Sequence, residues 1–230
     1  MADDEAEAVR ARYARRAAGD PRYNLLDPAA LLMLQERQRA LLRLLKAVGR
    51  TDLPSLTLLE IGSGGGDNLL ELLRLGFAPA HLAGIELLPE RHAQARDRLS
   101  DAVRLQLGDA TVVDLGAASV DIVLQSTVFS SLLDSAYQQR LADAMWRAVK
   151  PGGGVLWYDF TMDNPRNPDV RGVPLARLRA LFPAARLTAR RITLAPPLAR
   201  PLARLHPGLY TLCNALPWLR THVLAWLGKD

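Results

Sequence analysis

The sequence predicts an α/β protein built on a doubly wound, mainly parallel sheet. Three observations carry that reading. Short apolar runs alternate with helical patterns from residue 56 to residue 160, and such alternation makes parallel strands covered on both faces. The first run passes into Gly62, Gly64, Gly65 and Gly66 and then into a helical pattern; strand, glycine turn and helix together bring backbone N–H groups up to a ligand. At 230 residues, 49% of them apolar, the chain fills one such domain and leaves little for a second.

In chain order, residues 2–18 are rich in Ala, Glu and Arg and should be helical, stopping at Gly19-Asp20-Pro21. After a connector holding Tyr23, Asp27 can cap a second helix with Pro28 at its first position. That helix should reach about Val48, with Leu31, Leu34, Leu41, Leu42, Leu45 and Val48 on its apolar side, and Gly49 should end it. Residues 1–50 thus form a helical cap on a domain spanning 51–230. Strands follow at 56–61, 82–86, 103–107, 120–125 and 154–160, with helices at 67–75, 89–99 and 134–149. Pro174 opens a short helix to Leu181, and residues 186–194 alternate well enough for a sixth strand. An insertion at 195–220 carries five prolines and one helix near 208–216.

In such a sheet, ligands bind beyond the C-terminal strand ends, beside the first strand. Glu60, the glycines, Glu86, Asp109, Gln125, Ser126 and Asp159 all lie at such ends. The glycine spacing decides between ligands. A dinucleotide fingerprint needs G-x-G-x-x-G, but its last position is Asp67 counted from Gly62, or Leu69 counted from Gly64. What stands here is Glu60-x-Gly62-x-Gly64-x-Gly66. Glu86 follows Gly66 by 20 residues, where a carboxylate can accept from ribose hydroxyls. Gly108-Asp109-Ala110 makes an acidic turn after the third strand, and Lys150-Pro151-Gly152-Gly153 precedes the fifth.

This set, over about residues 56–160, resembles the class I S-adenosylmethionine (SAM) methyltransferases. The resemblance implies a seven-stranded sheet whose last strand, best placed at 221–227, is antiparallel. It implies SAM as cofactor, with the loop of Glu60, Gly62, Ser63, Gly64, Gly66 and Asp67 around its methionine part. Glu86 and Leu87 would take the ribose, Asp109 and Ala110 the adenine, and Gln125 and Ser126 the methionine end or the acceptor. In this family N-terminal helices often lie across the cofactor mouth, so Tyr13 and Tyr23 either face the ligand or pack between helices.

If the sixth strand runs parallel to the first, its end at Leu194 points to the ligand edge. The insertion at 195–220 then rises over that edge as a lid. It holds Arg200, Arg204, Arg220 and His206, no acid, and seven leucines with Trp218. Such a cap suits an anionic amphiphile or a membrane surface, or its leucines only pack it onto the domain. Residues 161–230 carry a net charge of +8 against −3 for residues 1–160, which suggests an anionic partner or an arginine-rich solvated face. In the polar loop after the fifth strand, Arg166 and Arg171 can grip an acidic group of the acceptor or stand free in solvent.

Methyl transfer from a sulfonium is an in-line displacement that needs alignment above all; a hydroxyl acceptor adds the need for a base. Asp159, His206 and His222 are the base candidates, each with a structural alternative. No metal-ligand spacing is present, and Cys213 is the sole cysteine, so no metal, no internal disulfide and a cytoplasmic setting are expected. The acidic N-terminus lacks a signal-peptide core. The function expected is methylation of a small-molecule or lipid- or glycan-linked acceptor at oxygen. The alternatives are a nucleic-acid methyltransferase, against which stands Gln125-Ser126-Thr127-Val128 in place of a base methylase's Pro-Pro motif, and a non-catalytic SAM-binding module.

Overall fold

The computed structural model describes residues 2–15, 24–165 and 167–230. Seven strands form one sheet: β1 (Leu58–Ile61), β2 (Leu82–Glu86), β3 (Arg104–Leu107), β4 (Val120–Ser126), β5 (Val149–Phe160), β6 (Arg186–Leu194) and β7 (Arg220–Gly228). Their order is β3-β2-β1-β4-β5-β7-β6. All pairs from β3 to β5 are parallel, and β7 runs antiparallel to both β5 and β6. The order reverses between β1 and β4, which opens a crevice at their C-terminal ends.

The helices are α1 (Ala2–Ala14), α2 (Pro28–Ala47), α3 (Asp67–Leu75), α4 (Pro89–Arg98), α5 (Ser135–Ala148), α6 (Leu175–Leu181), α7 (Pro196–Leu205) and α8 (Pro207–Asn214). Alternation along the strands gives each face its own core. Leu58, Leu124, Leu156 and Leu224 point to the face covered by Leu44 and Leu45 of α2. Leu59, Val123, Val155 and Trp157 point to the other, against Leu141 and Met145 of α5. A smaller third cluster joins Ala29 of α2 to Ala199 and Ala203 of α7 and Tyr210 of α8.

Caps and stops follow the sequence. Asp27 accepts from the Ala29 N–H at the start of α2, and Gly76 ends α3 with φ +107. Three expectations need correction. Leu31 and Leu42 of α2 are exposed, because the helix turns Ala40, Leu44 and Leu45 inward instead. The ladder of β5 begins at Val149 rather than 154: Val149 pairs with Val120, and the register then shifts so that Gly154 meets Ile122. Lys150-Pro151-Gly152-Gly153 is therefore a bulge, and at Gly153 a Cβ would fall 2.4 Å from the Asp121 carbonyl oxygen. The insertion holds two helices, not one. Pro196 and Pro197 occupy the first turn of α7, where no backbone donor is required, and His206 caps α8 ahead of Pro207.

Candidate active site

The crevice beside β1 is a cleft of about 730 Å³, open solvent included. Its floor is Ile61 and Gly62 from β1 and its turn, Ile85 to Leu88 from the end of β2, Gly108 to Ala110 after β3, and Ser126 to Val128 after β4. Val9 and Tyr13 of α1, Arg91 of α4 and Tyr137 of α5 close it from above.

Backbone chemistry fixes the glycine turn. The N–H groups of Gly62 and Ser63 donate to the Ile85 carbonyl at 2.8 and 3.1 Å, which staples the turn to β2. Gly62 has φ +68, and a Cβ there would lie 2.6 Å from Val128 Cγ2. Only glycine fits both demands. Gly64, at φ +56, faces open space with nothing nearer than Arg91 at 3.8 Å. Gly66 is different: a Cβ there would strike Leu99 of the α4 packing layer at 2.8 Å, so it lets the turn approach α4. Asp67 points away from the cleft to an ion pair with Arg98 at 2.6 Å. Ser63 is buried against Gly84, and its hydroxyl has no partner.

Glu86 is held at both oxygens. Oε2 accepts from the Gly64 N–H at 2.7 Å and Oε1 from the Leu88 N–H at 2.9 Å. A carboxylate so fixed keeps lone pairs for two further donors. Asp109 Oδ1 accepts from the Tyr137 hydroxyl and the Thr111 N–H, each at 2.7 Å. Leu87 and Ala110 stand beside these acids in the wall. Glu60 lies behind the turn, fully buried. Its Oε1 accepts from Asn68 Nδ2 at 2.6 Å, while Oε2 has no partner. Burial pushes its carboxyl up to about 8, with Asn68 and the charge of Arg37 pulling the other way.

The remaining candidates are more scattered. Gln125 is buried and ties two chain segments, accepting from the Val128 N–H at 3.1 Å and facing the Tyr158 carbonyl, whereas Ser126 reaches the cleft. Asp159 is wholly buried under the turn after β4; Ser130 N–H and Phe160 N–H donate to its two oxygens. Burial lifts its carboxyl to about 7. His206 is exposed, with Nδ1 accepting the Gly208 N–H. His222 stands opposite Phe160 in the ladder and stacks on Tyr158 at 5.1 Å. Burial and the nearby Arg37 charge push it down to about 4, so its imidazole is neutral at pH 7. Arg204 pairs with Asp27 at 2.7 Å, Arg200 is half-exposed on α7, and the Arg171 side chain is exposed. Tyr23 and Arg166 lie outside the described residues. The structure thus gathers the cofactor candidates, apart from Asp67, in or directly behind one cleft, and leaves the three base candidates outside its wall. Sequence reasoning missed Tyr137 and Arg91; each meets the site only through the tertiary fold.

The methyltransferase-domain family matches residues 59–157, the stretch that builds this cleft. Over those residues the chain is similar to the class I SAM-dependent methyltransferases. An arsenite methyltransferase of Halobacterium salinarum is 29% identical to this chain over 126 residues, which cover 53% of this chain and 31% of that protein. The chain therefore spans less than a third of that relative's length. Among solved structures, a SAM-dependent methyltransferase from Mesorhizobium loti has a TM-score of 0.60 at 15% identity, covering 84% of this chain and 96% of that one. The 1,6-didemethyltoxoflavin N1-methyltransferase of Burkholderia thailandensis, solved with its acceptor and S-adenosylhomocysteine, has a TM-score of 0.56 at 20% identity and covers 86% and 80%. These likenesses speak to the fold.

The residues present fit SAM. Glu60 Oε2 has no hydrogen-bond partner, and the φ +56 glycine at 64 faces open space. Among the described residues no helix is long and apolar enough to cross a membrane.

Proposed function

We propose that the methyltransferase moves a methyl group from SAM to an oxygen of a small, anionic or lipid-linked acceptor. SAM, when bound, supplies an electrophilic methyl on a sulfonium. The chain's own residues then bind, orient and exclude water. Glu86, fixed by two backbone donors, is placed to accept the ribose hydroxyls; Asp109, oriented by Tyr137, faces the adenine end; Glu60 takes the ammonium. The observation that carries the cofactor reading is Glu86, whose oxygens are aimed by the Gly64 and Leu88 N–H groups at the mouth of a glycine turn.

An oxygen acceptor needs a base. His222 is neutral at pH 7, but burial and Arg37 push it down to about 4, which makes it a weak one. It stands outside the cleft wall, so the oxygen reading rests on the turnover test below. Arsenite is not carried over from the relative: trivalent arsenic is a soft thiophile suited to thiolate ligands, and Cys213 is the chain's sole thiol. For a lipid-linked acceptor the support is an apolar surface beside the strand edge. Leu205 is 77% exposed, Leu212 68% and Trp218 72%, all on the insertion. Leu26, 89% exposed, joins them because Asp27 is paired to Arg204. Exposed large apolar side chains mark an interaction site where they form one contiguous patch.

The test is calorimetric titration with S-adenosylhomocysteine, followed by methyl release from SAM over phenolic, sugar-hydroxyl and amine acceptors. Binding with turnover on hydroxyls and loss of turnover in His222→Asn is the expected result. Turnover on amines alone would overturn the oxygen assignment. Co-sedimentation with anionic vesicles, reduced by Leu205→Ser with Trp218→Ser, tests the lipid face; no sedimentation at low salt would remove it.

A further inference from the structure

Among the described residues, Arg37 has no ion-pair partner. Its neighbours in α2 are both tethered. Glu36 accepts from the Thr193 N–H at 3.1 Å and the Tyr210 hydroxyl at 2.7 Å, and Gln38 donates to Glu71. Arg37 itself, among the described residues, makes no hydrogen bond and no ion pair. Its guanidinium lies over the ring of Tyr158 at 5.3 Å. That ring is fixed from two other sides, by stacking on His222 and by a hydrogen bond between its hydroxyl and Thr193 Oγ1 at 3.0 Å.

The position is informative. Tyr158 stands beside Ser126 in the ladder, and Ser126 belongs to the wall of the cofactor cleft. Arg37 is therefore about one strand away from the cleft, on the side toward β7, where the α7–α8 insertion enters. Its charge also tells on Glu60, Tyr158 and His222. A cation over an aromatic face gains roughly 0.5–2 kcal/mol, but that contact satisfies none of the five N–H donors. A planar fork of free donors on a half-buried arginine matches a carboxylate or a phosphate through two parallel bonds.

We propose that Arg37 forms an anion subsite beside the cofactor cleft, where it grips a carboxylate or phosphate of a bound molecule against the Tyr158–His222 stack. The inference rests on the reading of the cleft as a SAM site. Two sources supply such an anion: an acid group on the acceptor, or the methionine carboxylate of SAM, whose ammonium Glu60 would hold. Arg37, Tyr158 and His222 all lie outside the cleft wall, which makes the acceptor the first claimant.

The experiment compares wild type with Arg37→Gln and Arg37→Lys, each checked for folding by thermal melting. S-adenosylhomocysteine and its decarboxylated counterpart are titrated calorimetrically. The S-adenosylhomocysteine-loaded proteins are then titrated with benzoate and with inorganic phosphate. With the acceptor as source, the cofactor product binds wild type and Arg37→Gln within twofold, while benzoate or phosphate binding falls at least tenfold in Arg37→Gln and partly returns in Arg37→Lys. With the cofactor as source, S-adenosylhomocysteine weakens at least tenfold in Arg37→Gln, and the decarboxylated compound binds both proteins alike. No change in either series overturns the subsite. If wild type binds no S-adenosylhomocysteine, the cofactor reading fails on its own; the benzoate and phosphate series on unloaded protein then still decides Arg37.

Discussion

The two halves of the sheet hold their ligand edges by different means. In the β1–β4 half, main-chain geometry does the positioning: the turn is stapled to Ile85, and Glu86 is aimed by two N–H groups. In the β5–β7 half the edge is held by side chains from distant parts of the chain. Glu36 reaches Thr193 and Tyr210, Arg204 reaches Asp27, and His222 leans on Tyr158. Backbone positioning tolerates few residue types, whereas side-chain tethers can be exchanged without altering the strand. The first half is therefore bound to its residue types more tightly than the second.

The sharpest break of that contrast is a glycine in each half. Gly62→Ala puts a Cβ 2.6 Å from Val128 at φ +68. With strain of about 1–3 kcal/mol, S-adenosylhomocysteine affinity should fall by up to roughly a hundredfold, read by calorimetry. Gly154→Ala puts a Cβ 2.4 Å from the Trp226 ring. It should lower the denaturant midpoint by a comparable free energy yet leave the affinity of the folded protein unchanged. Equal effects on affinity would erase the distinction.

Glu60 gives the next effect, through pH. Its folded-state carboxyl is raised from 4.5 to about 8 by burial, so the neutral form is the one the fold favours. That stability is complete below pH 4.5 and is lost as pH rises through 8. An ammonium bound at Oε2 reverses the preference, so binding at pH 7 should release a proton. Calorimetry in buffers of differing ionisation enthalpy should show that release in wild type and not in Glu60→Gln, whose affinity should fall about tenfold.

Smaller effects come from the other half. Tyr210→Phe removes the donor to Glu36 and should cost about 1 kcal/mol in urea unfolding. Arg204→Ala breaks an ion pair whose arginine is exposed and should lower the urea midpoint less than Tyr210→Phe does.

The same contrast explains what could be read from residues alone. The strand ends, the Asp27 cap, the glycine turn and Glu86 are local patterns or fixed spacings, so they were legible. Gly66 was legible as part of the motif, but its packing against Leu99 was not, because that contact joins the turn to α4. The helix over 196–205 was not foreseen, and its Pro196 and Pro197 serve that helix's first turn. Arg37 sits mid-helix among other charges, and nothing in its neighbourhood announces Tyr158, 121 residues onward. His206 looked chemical because it falls in the insertion; its ring is committed to capping α8.

The first helix sets a further condition on the cofactor half. Val9 and Tyr13 form part of the cleft wall, and Arg91 lies over the Tyr13 ring at 4.6 Å. The helix is bolted down by the buried Glu5–Arg12 pair, through which Glu5 takes the Leu133 N–H and Arg12 reaches the Ser131 carbonyl. Opening the cleft on the α1 side would require that this one carboxylate and one guanidinium part.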